Sequence, residues 1–145
     1  MAVTSNTEDI FVPQNYIDSD GFSDTGKDVT FYRWYKYDSM PELCDGYSAV
    51  DDSSAEEVKN AINLFYCNTE ITREVDADGN VTDIYPDDCD DAKLVSNGDY
   101  YYIIGYENDA TEIPFDFESQ KTNTNFMLYF FDTETNTLHK YYATW

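Results

Sequence analysis

The sequence predicts an α+β fold: a curved antiparallel sheet of about five to seven strands with one helix, Ser54 to Phe65, packed on it. Three stretches carry that expectation. From Asn125 to Thr144, two aromatic and apolar runs, Phe126 to Phe131 and Leu138 to Ala143, flank the polar turn Asp132 to Thr137, which is a β-hairpin pattern. Both alternate sets of the first arm, Phe126/Leu128/Phe130 and Met127/Tyr129/Phe131, are apolar, so that strand is expected at the centre of the sheet and covered on both sides. Tyr100 to Tyr106 has the same character and is its expected neighbour. The third stretch is the only clear helical pattern, with Val58, Ala61, Ile62 and Phe65 on one face and Glu56, Lys59, Asn60 and Asn63 on the other.

In chain order, residues 1 to 28 are polar and turn-rich apart from Ile10-Phe11-Val12-Pro13, Tyr16, Ile17 and Phe22. They read as an extended arm pinned at apolar points, ahead of a single α+β domain from 29 to 145. Val29 to Tyr37 is the first strand by its density of β-branched and aromatic residues. Its alternation puts Phe31, Arg33, Tyr35 and Tyr37 on one face and Tyr32, Trp34 and Lys36 on the other. Asp38 to Asp52 is loop. Ser54 with Glu57 makes a capping box that starts the helix, which is expected to end near Cys67 and Asn68. Ile71 to Val75 and Val81 to Tyr85 form a second hairpin around Asp76-Ala77-Asp78-Gly79-Asn80. A short strand is expected over Ala92 to Val95, and Glu107 to Thr124 is a long polar excursion before the final hairpin. One strand, one helix and then further antiparallel strands make a layout similar to that of cystatin-like α+β folds, a likeness of layout only.

A chain of 145 residues fits one domain and buries enough surface to fold without a metal or disulfide. Its 30 acidic and 8 basic residues give a formal net charge of −22. A field of that sign repels nucleic acid and anionic phospholipid and attracts cations and basic protein surfaces, so direct nucleic-acid binding is not expected. Cys44, Cys67 and Cys89 are far apart and only one histidine, His139, is present, which argues against a zinc site. An odd number of cysteines fits either reduced thiols or one disulfide and a spare. With no secretory apolar segment and no run long enough to span a bilayer, a soluble chain is expected, its compartment undefined.

Two acidic constellations stand out. Asp76, Asp78, Asn80 and Thr82 alternate oxygen atoms along the hairpin turn with Asp83 close behind, as a hard cation such as Ca²⁺ requires, which makes Asp76, Asp78, Asn80 and Asp83 the candidate ligands, although the EF-hand spacing is not met and a plain turn accounts for the same residues. Asp87, Asp88, Asp90 and Asp91 form a second cluster that, with the aromatic Trp34 and Tyr35, offers a surface to a basic partner. No nucleophile elbow, phosphate loop or Cys/His pattern is present, and His139 reads as a satisfied surface or half-buried histidine.

The leading expectation is therefore a non-enzymatic acidic protein-interaction module that presents carboxylates and aromatics to a basic protein surface, in its most specific form an inhibitor or immunity-type mimic of nucleic acid. No cofactor is expected beyond Ca²⁺ at the turn. A structural or surface component that self-assembles, as in a virion or appendage, and a secreted module for Ca²⁺ or glycan are the alternatives.

Overall fold

A computed structural model describes residues 9–25, 29–107 and 111–144. Its strands are β1 (Asp18–Thr25), β2 (Val29–Lys36), β3 (Ser48–Ala49), β4 (Thr72–Val75), β5 (Val81–Ile84), β6 (Tyr100–Tyr106), β7 (Glu112–Ile113), β8 (Asn125–Asp132) and β9 (Thr137–Thr144). The helices are α1 (Asp52–Phe65) and the single turn α2 (Phe117–Gln120). Seven strands form one antiparallel sheet in the order β1-β2-β9-β8-β6-β3, with β7 beside the far end of β6, while β4 and β5 pair only with each other. The expected α+β layout is thus the observed one, and the Tyr-rich β6 is indeed a neighbour of β8.

Strand β8 is buried on both faces because both of its alternate side-chain sets are apolar. Phe126, Leu128 and Phe130 meet Val58, Ala61, Ile62 and Phe65 of α1 on one side, joined by Tyr141 and Ala143 from β9. Tyr129 and Phe131 pack with Val12, Tyr35, Tyr37 and Leu138 on the other. Each fully buried Phe or Leu in these layers contributes about 1.5–3 kcal/mol of transfer free energy. Chain preceding β1 closes the second face. Phe11 stacks on Tyr102 at 4.2 Å and on Tyr129 at 5.0 Å, and its carbonyl accepts the Tyr47 hydroxyl at 2.6 Å. Asp9 accepts from the Tyr129 hydroxyl at 2.7 Å and the Lys140 ammonium at 2.9 Å. Burial alone would raise the Asp9 carboxyl pKa, but those bonds and the Lys140 charge outweigh it and hold it below the usual carboxylate value.

Within the segment 1 to 28 expected as an arm, residues 18–25 form strand β1, paired with β2 along its whole length. Residues 1–8 and 26–28 lie outside the described residues. Gly21 is required in β1, since a Cβ there would collide with the Tyr32 carbonyl and the Arg33 Cα. Asp18 and Asp20 each accept the backbone N–H of the next residue, at 2.9 and 2.8 Å, so carboxylates occupy amides that an incoming strand would use.

The helix begins three residues earlier than the Ser54/Glu57 box implies. Asp51 is the N-cap: its carboxylate accepts the Ser53 and Ser54 amides at 3.0 and 2.9 Å, and the Ser54 hydroxyl accepts the Asp51 amide at 2.9 Å. Asp-x-x-Ser closes the same reciprocal pair as Ser-x-x-Glu, and it also sets Asp51 and Asp52 at the positive end of the helix dipole. Two further expectations are corrected. Ala92–Leu94 is a 3-10 turn, not a strand, because the Leu94 and Val95 amides bond back to Asp91 and Ala92. The Glu107 to Thr124 excursion contributes β7 and α2. Among the described residues no helix is long and apolar enough to cross a membrane.

At its C-terminus α1 closes with a Schellman arrangement, the Cys67 amide bonding to the Leu64 carbonyl at 3.0 Å and the Asn68 amide to the Asn63 carbonyl at 2.7 Å. Cys67 therefore sits at φ +57°, a left-handed position that costs a non-glycine residue about 1–2 kcal/mol. Cys67→Gly is expected to stabilise the protein by about 0.5–1 kcal/mol in chemical denaturation, part of the relief being offset by the greater freedom of glycine when unfolded. A destabilised Cys67→Gly variant would contradict this account of the helix end.

Candidate interaction surface

Asn63, on the last turn of α1, organises the acidic loop that follows the second hairpin. Its buried amide donates to the Asp88 carboxylate at 3.0 Å and its carbonyl oxygen accepts the Cys89 amide at 3.0 Å and the Asn68 side chain at 2.9 Å. Asn68 also donates to the Asp87 carbonyl at 2.7 Å, and Lys59 lies 3.9 Å from Asp88. Asp91 accepts the Tyr66 and Tyr141 hydroxyls at 2.8 and 2.9 Å. Burial, with the Asp91 charge, pushes both phenols above their ordinary pKa, so they remain donors at any physiological pH.

Asp88 and Asp91 thus turn inward to hold the loop on the helix, whereas Asp87 and Asp90 are exposed. Trp34 is half-buried on the face of β2 that carries α1, and Tyr35 is buried on the opposite face beside Tyr16 and Tyr37. Since adjacent strand residues point to opposite faces, Asp87, Asp88, Asp90, Asp91, Trp34 and Tyr35 are not brought onto one surface.

The alternating oxygens of the second hairpin are used by its own turn. The Asp76 carboxylate accepts the Asp78 and Asn80 amides, both at 2.9 Å, and the Asn80 side chain at 3.2 Å. Those bonds, the Asn80 amide foremost, lower the Asp76 pKa. Gly79 takes φ +83° to close the turn. Asp83 faces across the strands to Arg73 at 3.0 Å. Among the described residues no three His, Cys, Asp or Glu side chains are grouped to hold a metal ion, so the structure does not bring Asp76, Asp78 and Asp83 together as a cation site.

The base of this hairpin, α1 and α2 enclose a groove of about 410 Å³. Glu56, Asp88 and Glu118 supply carboxylates to it, and Tyr85 and Phe117 supply rings. Its lining cation, Lys121, is already paired with Glu118 at 3.0 Å and lies over the Phe117 ring at 4.7 Å. Glu56 and Asn60, four residues apart on the outward side of α1, carry no partner among the described residues. Sequence reasoning missed this groove because its lining comes from three separated segments.

His139, expected as a satisfied surface or half-buried histidine, is buried, because it stands across from Phe130 in the β8–β9 register and so points beneath α1. The Tyr32 hydroxyl and His139 Nδ1 share a hydrogen bond of 2.8 Å, while Nε2 is buried with no partner among the described residues. Desolvation lowers the His139 pKa against the pull of the Asp91 and Asp132 charges, so the ring is neutral. The Cys67 and Cys89 thiols are not activated as nucleophiles. Cys44, Cys67 and Cys89 are free, and burial raises the pKa of the last two.

Comparisons with protein-family models, with curated proteins and with solved structures find no match to this chain.

A histidine whose pKa is lowered by folding contributes stability that is complete above its ordinary value of 6.5 and is lost as pH falls toward the folded value. The stability advantage of the wild type over His139→Phe is therefore expected to shrink as pH is lowered from about 7 to about 5, measured by denaturant titration at each pH. Comparing the two proteins removes the opposite effect of relieving carboxylate repulsion, which both share. A difference that stays constant with pH would contradict the buried neutral state.

Proposed function

We propose that this chain is a non-enzymatic acidic interaction module whose carboxylates act together as a field toward a basic protein surface. The observation that carries the reading is where the charge lies. Among the described acidic residues only Asp99 and Asp132 are buried, and all others reach solvent at least in part. Asp99 is spent on structure, binding Ser96 and Thr133 through both oxygens, and Asp132 holds the β8–β9 turn through Glu134 and Thr135. Much of the positive charge is also neutralised internally. Lys59, Arg73, Lys121 and Lys140 are each paired with a carboxylate, which leaves the outward field strongly one-sided.

Such a surface speeds encounter with a cationic partner, and salt screens it over a Debye length of about 10 Å at 0.1 M. A fluorescent oligo-arginine peptide is expected to bind at low ionic strength and to lose about tenfold or more in affinity as salt rises from about 50 to about 300 mM. Oligo-glutamate should not bind. Failure of oligo-arginine to bind at low salt, or an affinity indifferent to salt, would overturn the reading.

A further inference from the structure

Hairpin β4–β5 stands apart from the main sheet, and every residue of its two strands is exposed. A lone pair of strands is only marginally stable in water, and hairpins are normally packed through their apolar face. Here that face is open. The register pairs Arg73 with Asp83 and Val75 with Val81, and one further step sets Ile71 across from Tyr85, all on the same side by strand alternation. The result is a ladder of two apolar rungs around one ionic rung. Val75, Val81 and Tyr85 are 63%, 57% and 68% exposed. At its foot, Ile71 and Tyr85 continue into the groove that Glu56, Asn60, Asp88 and Phe117 line.

We propose that the Ile71–Tyr85 face of this hairpin and the groove at its base form one docking surface, and that its occupant is a protein segment with apolar side chains ringed by arginine or lysine. This rests on the reading of the chain as an acidic module and locates where that module makes contact. Charge complementarity selects the occupant. Glu56 lines the groove at the ladder's foot, Asp78 stands in the turn and Asp87 follows Tyr85, and all three are exposed, whereas Arg73, Lys59 and Lys121 near it are already paired. A second copy would bring another net charge of −22 against the same rim. A basic segment gains both from covering the valines and Tyr85 and from meeting unpartnered Glu56.

The test uses the full chain and two fluorescent peptides, one of alternating arginine and leucine and one of oligo-arginine with equal charge. Val75→Thr/Val81→Thr/Tyr85→Ser keeps strand-forming residues at exposed positions and is expected to unfold at the same denaturant concentration as wild type. It should weaken the arginine–leucine peptide about tenfold or more while changing oligo-arginine by less than about twofold. Glu56→Gln should weaken both peptides more than Glu42→Gln does, and Ile17→Thr, an exposed apolar residue elsewhere, should weaken neither. Equal binding of the arginine–leucine peptide by wild type and the triple variant would overturn the docking surface while leaving the electrostatic reading in place. Absence of binding of either peptide by wild type would overturn both. Dimerisation abolished by the triple variant would overturn the basic partner in favour of a second copy.

Discussion

A strand with no polar face cannot lie at a surface, and β8 has none. Phe126, Leu128 and Phe130 are fully buried under α1, and Tyr129 and Phe131 are buried on the other side. The need to cover it twice accounts for most of the architecture. One face takes the apolar side of α1. The other has no second long helix available, so it recruits what precedes β1, with Phe11 stacked on Tyr102 and Tyr129, and Asp9 fixed by Tyr129 and Lys140. Leu43 and Tyr47 from the loop after β2 complete that cover.

A core filled this way with aromatics has little room for charge, and of the described acidic residues only Asp99 and Asp132 are buried. Asp99 receives four hydrogen bonds and Asp132 two. Asp99 ties the turn before β6 to the turn between β8 and β9, and Asp132 braces the latter from within. Buried carboxylates left without such donors would be very costly. The other described carboxylates reach solvent at least in part, where mutual repulsion opposes compactness and a cationic partner would relieve it. Stability and the proposed function are linked through the same charges.

The parts of the fold legible in the sequence are those where composition and period agree. Strands β2, β6, β8 and β9 are dense in aromatic and β-branched residues, and α1 shows its apolar stripe. Strand β1, Asp-Ser-Asp-Gly-Phe-Ser-Asp-Thr, was illegible because an edge strand is defended by the residues that strands otherwise avoid. The helix start was misplaced because Ser54 fits two reciprocal caps, and the geometry selects the one with Asp51. Of the candidate surface, the hairpin was visible but its apolar rungs were overshadowed by the carboxylates of its turn. Trp34 and Tyr35 could have been separated by strand period alone, and His139 placed inside by counting register from the turn, since Asp132 opposite Thr137 puts Phe130 opposite His139. The groove required knowing how α1, α2 and the hairpin meet.

If carboxylates arranged around an apolar ladder are what this chain presents to its partner, then the footprint of a cationic ligand should be local. Backbone amide chemical shifts recorded during titration with the arginine–leucine peptide at low salt test this most directly. The account predicts perturbations concentrated in residues 70–88, with Glu56, Asn60 and Glu118, and little change along β1 or around Trp34. Shifts spread evenly over the acidic surface, or centred on any other face of the sheet, would contradict it.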